Sequence, residues 1–281
     1  MKADLDDRTI LITGANTGIG RAAAEALARR GARLVLACRS EAKTQPVIDA
    51  ITRDTGNQAV EFLPLDLGDL ASVRAGAERW LAGGAPLHVL INNAGVAGQR
   101  GMTKDGFELA FGINHLGHFL FTQLLLDRIR SSAPARIVNV ASAAHPRAPG
   151  IDFVALRQPT SFTGLPEYAV SKLCNVLFTQ ELARRLDTTG VTTYAVHPGV
   201  IASDIWRRLP APLRGIYTWL AGMQSTEEGA RPLLYCATAS ELAHDTGRYY
   251  HQCKERPPSR VATPELAREL WDRSVAWTAA A

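Results

Sequence analysis

The stretch "YAVSK" sets Tyr168 and Lys172 four residues apart. On a helix that spacing puts both side chains on one face. A free tyrosine, with a pKa of about 10, is a poor base at neutral pH. A lysine cation beside it favours the phenolate and lowers that pKa. Such a tyrosine can pass a proton to or from an alcohol oxygen. The pair alone is a common pattern, so the chemistry needs company. Ser142 closes the apolar run "RIVNVAS". If that run is a strand of an open α/β sheet, its hydroxyl stands at the edge where ligands bind and can steady a substrate oxygen. Asn114, in "FGINHLGHF", is a polar residue within a long helical pattern.

A second group of residues suits a phosphate ligand. "TGANTGIG" (13–20) lies between the apolar run "TILIT" and an alanine-rich helical stretch. Glycines let the backbone turn sharply and approach a ligand closely. A helix N-terminus offers free N–H groups and a positive dipole end to a pyrophosphate. The spacing of Gly14, Gly18 and Gly20 is GxxxGxG, distinct from the GxGxxG of the most common dinucleotide fold. Roughly 20 residues on, where an acid would bind a ribose 2′-hydroxyl, stands Arg39. A guanidinium pairs bidentately with a phosphate, which predicts NADP(H) over NAD(H). "NNAG" (92–95) offers a slim Ala-Gly backbone past which a flat ring fits, and "HPG" (197–199) closes a later run.

These residues need a scaffold that gathers them at one edge. Apolar runs at 9–13, 33–38, 59–67, 87–95, 136–142 and 191–199 read as strands, with 247–250 as a seventh. Helical patterns separate them: after Gly18, after Ser40, at 69–82, 107–130 and 168–187, and from Thr263-Pro264 towards Trp277. Strands rich in Val, Ile and Leu alternating with helices predict an α/β fold: a Rossmann-type, doubly wound parallel sheet of about seven strands flanked by helices. No repeat or linker interrupts residues 1–281, so one domain is expected. Two long connections break the rhythm, the proline-rich 143–167 and the Trp/Leu/Ile-rich 201–225. The second would cover the site and wall an apolar pocket.

Composition narrows the function classes. The 281 residues are 46% hydrophobic and 21% charged, enough to bury a full core. The net charge of +4 is scattered, without a Lys/Arg run, which argues against nucleic acid. Cys38, Cys174, Cys236 and Cys253 show no metal or disulfide spacing, and His115 and His118 lack a carboxylate at ligand spacing, so no metal is expected. The polar "MKADLDDRT" is neither a signal nor a transit peptide, and no run reaches the roughly 18 apolar residues of a membrane span. No integral membrane segment and a cytoplasmic location are the default.

Together these pieces resemble the short-chain dehydrogenase/reductases over essentially the whole chain. The matching elements, in order, are Thr13 to Gly20, Asp66-Leu67, Asn92 to Gly95, Asn114, Ser142, Tyr168 with Lys172, and Pro198-Gly199. The resemblance implies hydride transfer between a nicotinamide and a carbonyl or alcohol carbon. It implies that Tyr168 is the proton donor or acceptor, that Ser142 bonds the substrate oxygen, that Lys172 holds the nicotinamide ribose and tunes Tyr168, and that Asn114 orders a relay water. Gly14, Asn16, Thr17, Gly18, Ile19 and Gly20 would form the cofactor loop. Asp66 and Leu67 would lie at the adenine, with Asn93, Ala94, Gly95, Pro198 and Gly199 flanking the cofactor.

Stretches such as "LACRS", "NHLGHFL" and "GVTTYAVHPGV" narrow the resemblance to the retinol dehydrogenase branch. That branch is mostly NADP(H)-dependent and reduces retinal and related lipophilic aldehydes. Two departures stand against it: the hydrophobic N-terminal anchor of many branch members is not seen, and 201–225 shows no clear match. A steroid or polyketide-like ketone therefore remains an alternative substrate, and a non-catalytic NADPH sensor an alternative role. Family members are often dimers or tetramers that pair the long helices expected at 107–130 and 168–187, so a homodimer or homotetramer is possible.

Overall fold

The structure, a computed structural model, describes residues 4–199 and 225–279. The expected site-covering segment therefore lies, but for Ser225, outside the described residues. Eight strands form one sheet: β1 (Thr9–Thr13), β2 (Arg33–Cys38), β3 (Val60–Pro64), β4 (Val89–Asn92), β5 (Ala135–Val140), β6 (Val191–His197), β7 (Arg248–His251) and β8 (Lys254–Arg256). Their order is β3-β2-β1-β4-β5-β6-β7-β8. All neighbours are parallel except β7 and β8. The chain runs outward from β1 to β3, then returns to β4 on the other side of β1. The strand order thus reverses between β1 and β4, and a crevice opens at the carboxyl ends of that pair.

The central strands are apolar on both faces because helices cover both. α1 (Gly18–Ala28), α2 (Glu41–Thr55) and α6 (Thr226–Thr238) pack on one face. α3 (Leu70–Ala82), α4 (Leu109–Ser131), α5 (Leu165–Arg185) and α7 (Pro264–Ala279) pack on the other. Local chemistry starts two of these helices. The Asp69 carboxylate accepts from Ala71 N and Ser72 N at the head of α3. Ser225 and Glu228 form a reciprocal capping box on α6.

α4 is long and apolar enough to cross a membrane by length and composition, but most of it is buried in the core. Its early turns, Gly112–Leu116, are π-helical. α7 lies across α5 and α4. Trp271 meets Phe119 and Phe178 at ring-centroid distances of 5.1 and 5.9 Å, and Trp277 meets Phe107 and Phe111 at 5.4 and 5.7 Å. α7 thus packs on the two long helices that the family resemblance would pair between subunits.

The eighth strand is one more than the sequence suggested. It folds back from β7 through Gln252 and Cys253, both at positive φ (52° and 57°), as a two-residue type I′ hairpin turn requires. Asn93–Gly95, expected within a strand, instead forms the loop that leaves β4.

Candidate active site

The glycine loop folds onto the loop after β4. Gly14 sits at φ +66°, and a Cβ there would lie 2.9 Å from Ala94 Cα. At Gly20 a Cβ would come within 2.5 Å of Asn93 Nδ2. Both positions therefore exclude a side chain. Thr13 Oγ1 fastens the pair of loops, accepting from Asn93 N (2.9 Å) and Ala94 N (3.0 Å), while Asn93 Nδ2 donates to Thr13 O (2.8 Å). Gly18, at φ +57°, faces open space. A polar cavity of about 310 Å³ lies there, lined by Asn16, Thr17, Gly18, Ala22 and the Arg21–Glu25 ion pair, with Thr226 and Glu227 of α6 opposite. Thr17 precedes α1 without a side-chain cap, so the helix N-terminus is left to an anionic group in that cavity. These residues fit a dinucleotide pyrophosphate. Ile19 is half-buried and packs against the core below.

Arg39 stands exposed just beyond β2 and forms no ion pair among the described residues. Asp66, half-buried after β3, accepts from Gly68 N at 3.0 Å, and Leu67 is buried beside it. Gly199, at φ +100°, follows Pro198 and donates its N–H to His197 Nδ1 at 3.4 Å.

α5 carries Tyr168, Ser171, Lys172 and Asn175 on one face. Lys172 is buried and donates to Val140 O at the end of β5 (2.8 Å). Its Nζ lies 5.6 Å from the centre of the Tyr168 ring. Ser142 stands two residues beyond that carbonyl, its Oγ accepting from Ala144 N at 3.1 Å, and its hydroxyl acts on the Tyr168 phenol. The Asn114 side chain ties three elements together. Its Oδ1 accepts from Val96 N (2.8 Å), and its Nδ2 donates to Val96 O and to Ser171 Oγ (both 2.9 Å). Ser171 Oγ donates in turn to Tyr168 O at 2.8 Å. A Cβ on Gly95 would press on Asn114 Oδ1 (3.0 Å) and approach Lys172 Nζ (3.7 Å), so the glycine keeps this floor open. Asn114, Ser142, Tyr168 and Lys172 thus converge at the carboxyl edge, beside the crevice between β1 and β4.

Residues 8–213 match the family model described as short chain dehydrogenase. The chain belongs to that family. Retinol dehydrogenase 12 of Mus musculus is 47% identical over 271 residues, spanning 95% of this chain and 85% of its own. Retinol dehydrogenase 11 of Homo sapiens is 46% identical over 274 residues, spanning 96% and 85%. An uncharacterized Mycobacterium paratuberculosis protein of known structure superposes with a TM-score of 0.74 at 34% identity, covering 97% of this chain and 93% of its own. The chain is thus a short-chain dehydrogenase of the retinol dehydrogenase branch, an oxidoreductase of the alcohol/carbonyl group with a nicotinamide cofactor.

Burial governs the charge state of Tyr168 and Lys172. It raises the Tyr168 phenol above its ordinary pKa, against the opposing pull of the Ser142 hydroxyl. It lowers Lys172 to about 7. Lys172 is expected to pull the phenol down, but burial sets the direction of the phenol's shift. Both groups lose water, and desolvation disfavours each charged form.

Several supporting residues carried no signal in the sequence. His118 bonds Thr13 Oγ1 through Nε2 (2.8 Å) and Asn114 O through Nδ1 (3.0 Å), so it links the glycine loop to the π-helical turn. His145 is held neutral at both ends. Its Nδ1–H meets Ser142 O at 2.7 Å, and its Nε2 accepts from Ser259 N at 2.9 Å. Ser171 could have been found by the same helical spacing that links Tyr168 and Lys172. Among the described residues no group of three His, Cys, Asp or Glu is placed to hold a metal ion.

Proposed function

We propose that this short-chain dehydrogenase transfers a hydride between NADP(H) and the carbonyl or alcohol carbon of a lipophilic substrate, in the manner of a retinol dehydrogenase or retinal reductase. The observation that carries the reading is the convergence of Tyr168, Ser142 and buried Lys172 at the carboxyl edge of β5. Bound nicotinamide would supply or accept the hydride. The protein's part is to orient and to move a proton. Ser142 Oγ donates to the carbonyl oxygen and holds it against Tyr168. As negative charge builds on that oxygen, the Tyr168 hydroxyl gives it a proton. Lys172, with a pKa of about 7, is partly protonated at neutral pH and can stabilise or reprotonate the phenolate. Asn114 has both amide hydrogens committed to Val96 and Ser171, so its side chain serves the site by fixing α5 against the β4 loop.

Gly14, Asn16, Thr17, Gly18, Ile19 and Gly20 would hold the pyrophosphate, with Asp66 and Leu67 at the adenine. Asn93, Ala94, Gly95, Pro198 and Gly199 would flank the nicotinamide. Arg39 supports the choice of NADP(H), because an exposed guanidinium just beyond β2, without an ion pair among the described residues, suits a 2′-phosphate. The four free thiols, three of them buried, fit a reducing cytoplasm. The test is NADPH oxidation with apolar aldehydes and ketones, all-trans-retinal included, with Tyr168→Phe as control. Turnover that disappears in the variant supports the mechanism, and full turnover by Tyr168→Phe overturns it. NADPH binding without turnover of any substrate would favour a sensor.

A further inference from the structure

The segment leading into α5 is fastened by a buried carboxylate. Glu167, only 8% exposed, stands one residue before Tyr168. It accepts from Thr160 N and Thr160 Oγ1, each at 2.9 Å, and from the backbone N–H and the hydroxyl of Ser161. Ser161 Oγ accepts in turn from Gly164 N at 2.9 Å. Burial opposes the charge on Glu167, but these donors outweigh it and hold the carboxyl at about 2. The clamp is therefore ionised throughout the neutral range.

The clamped segment also abuts a second loop. Gly164, at φ +67°, lies so close to Gln99 that a Cβ would come within 2.8 Å of its carbonyl oxygen. Leu165 Cδ2 lies 3.8 Å from where a Cβ on Gly98 would stand. Gly98 is three residues beyond Gly95, which borders Lys172. The two loops thus meet a few residues from Gly95 and Tyr168, at the outer side of the site. They carry bare apolar side chains: Phe162 is 90% exposed, Leu165 53% and Met102 42%. These are three of the five large apolar side chains exposed among the described residues, and all three lie on the two loops that meet at Gly98 and Gly164. Holding an aromatic ring in water on a pinned loop is unfavourable in both hydration and chain entropy. It becomes favourable when an apolar group covers the ring.

We propose that Glu167 is a positioning residue that holds Phe162, Leu165 and Met102 as a preformed apolar rim, and that this rim receives the hydrocarbon tail of the substrate whose carbonyl reacts at Tyr168. The inference rests on the carbonyl-reducing reading above and adds to it the feature that selects long substrates. Proximity to the site assigns the rim to the substrate, because Leu165 opens the same helix that presents Tyr168.

The experiment measures NADPH-dependent reduction of straight-chain aldehydes from butanal to dodecanal. It compares wild type, Phe162→Ser, Glu167→Ala and Glu167→Gln. Wild-type kcat/KM should climb with chain length. Phe162→Ser and Glu167→Ala should each lower the dodecanal-to-butanal ratio of kcat/KM by about tenfold or more, the loss lying in KM for dodecanal rather than in kcat. Glu167→Gln keeps one acceptor oxygen and should fall between. An unchanged ratio, or an equal fall for both aldehydes, overturns the rim. So does loss of phosphatidylcholine-vesicle binding in Phe162→Ser with the ratio intact, which would give the surface to a bilayer. Wild type inert towards every aldehyde, all-trans-retinal included, would overturn the carbonyl reading itself, and the rim with it.

Discussion

Lys172 donates its Nζ to the carbonyl oxygen of Val140 at 2.8 Å, and Asn175 Nδ2 donates to the same oxygen at 3.0 Å. The carbonyl therefore keeps a donor if the lysine is removed. The lysine itself is held under strain of solvation, since burial lowers it from 10.5 to about 7.

Replacing Lys172 by Met should therefore stabilise the fold while removing activity. The folded pKa lies below the unfolded one, so the cost of burying this charge is full below about pH 7. It fades as pH rises towards 10.5 and is gone above that. Roughly 5 kcal/mol is the upper bound for Lys172→Met at pH 6, at about 1.4 kcal/mol per pKa unit. Thermal melts of both proteins from pH 6 to 10 check this. A gap in Tm that widens with rising pH would contradict it. Turnover should fall at least ~100-fold, the scale of a lost proton-transfer group.

Acid should unfold the protein through its buried imidazoles. Burial lowers His115 to about 3, and His118 and His197 to about 4. Their folded values lie below the ordinary 6.5, so the stability they carry is complete above that pH and is lost as pH falls towards 4. Each contributes on the order of 3 kcal/mol to that loss. Denaturant titrations at pH 7 and pH 4.5 measure it, and His118→Gln should flatten the dependence. A variant with the wild-type slope would remove His118 from the set.

Arg39→Asp should reverse the preference between the two phosphate states of the cofactor. Loss of one charge-assisted contact, about 1.5–3 kcal/mol, corresponds to roughly 10- to 150-fold in the ratio of kcat/KM with NADPH to that with NADH. The same ratio in variant and wild type would show that Arg39 does not choose the cofactor.

Trp271→Ala should cost about 3–5 kcal/mol in urea unfolding, the range for a large aromatic removed from a core. The ring packs on Phe119 and Phe178, and the Arg185 guanidinium lies 4.3 Å from its centre on the open side. A loss below 1 kcal/mol would mean that α7 is only loosely docked.

Much of this architecture could be read from residue types. β1, β2, β5 and β6 read correctly because strands covered on both faces become nearly continuous Val, Ile and Leu runs. β8 could not be read. Lys254, Glu255 and Arg256 are all exposed, and only the hairpin with β7 makes them a strand. α6, outside the expected helical patterns, begins with a capping box that stands in the sequence at Ser225 and Glu228. In the site, Tyr168, Lys172, Ser142 and Asn114 were legible because their chemistry is explicit in their side chains. Their supports were not. His118 reaches Thr13 across 105 residues and His145 reaches Ser259 across 114, and no local spacing announces a contact of that length.

The helix that closes the chain changes how the dehydrogenase behaves in a mixture. With Trp271 and Trp277 seated on α4 and α5, the groups that brace the back of the catalytic helix come from the same polypeptide as Tyr168. Specific activity should then be insensitive to dilution, and an inactive Tyr168→Phe copy added in excess should leave each wild-type molecule working at its own rate.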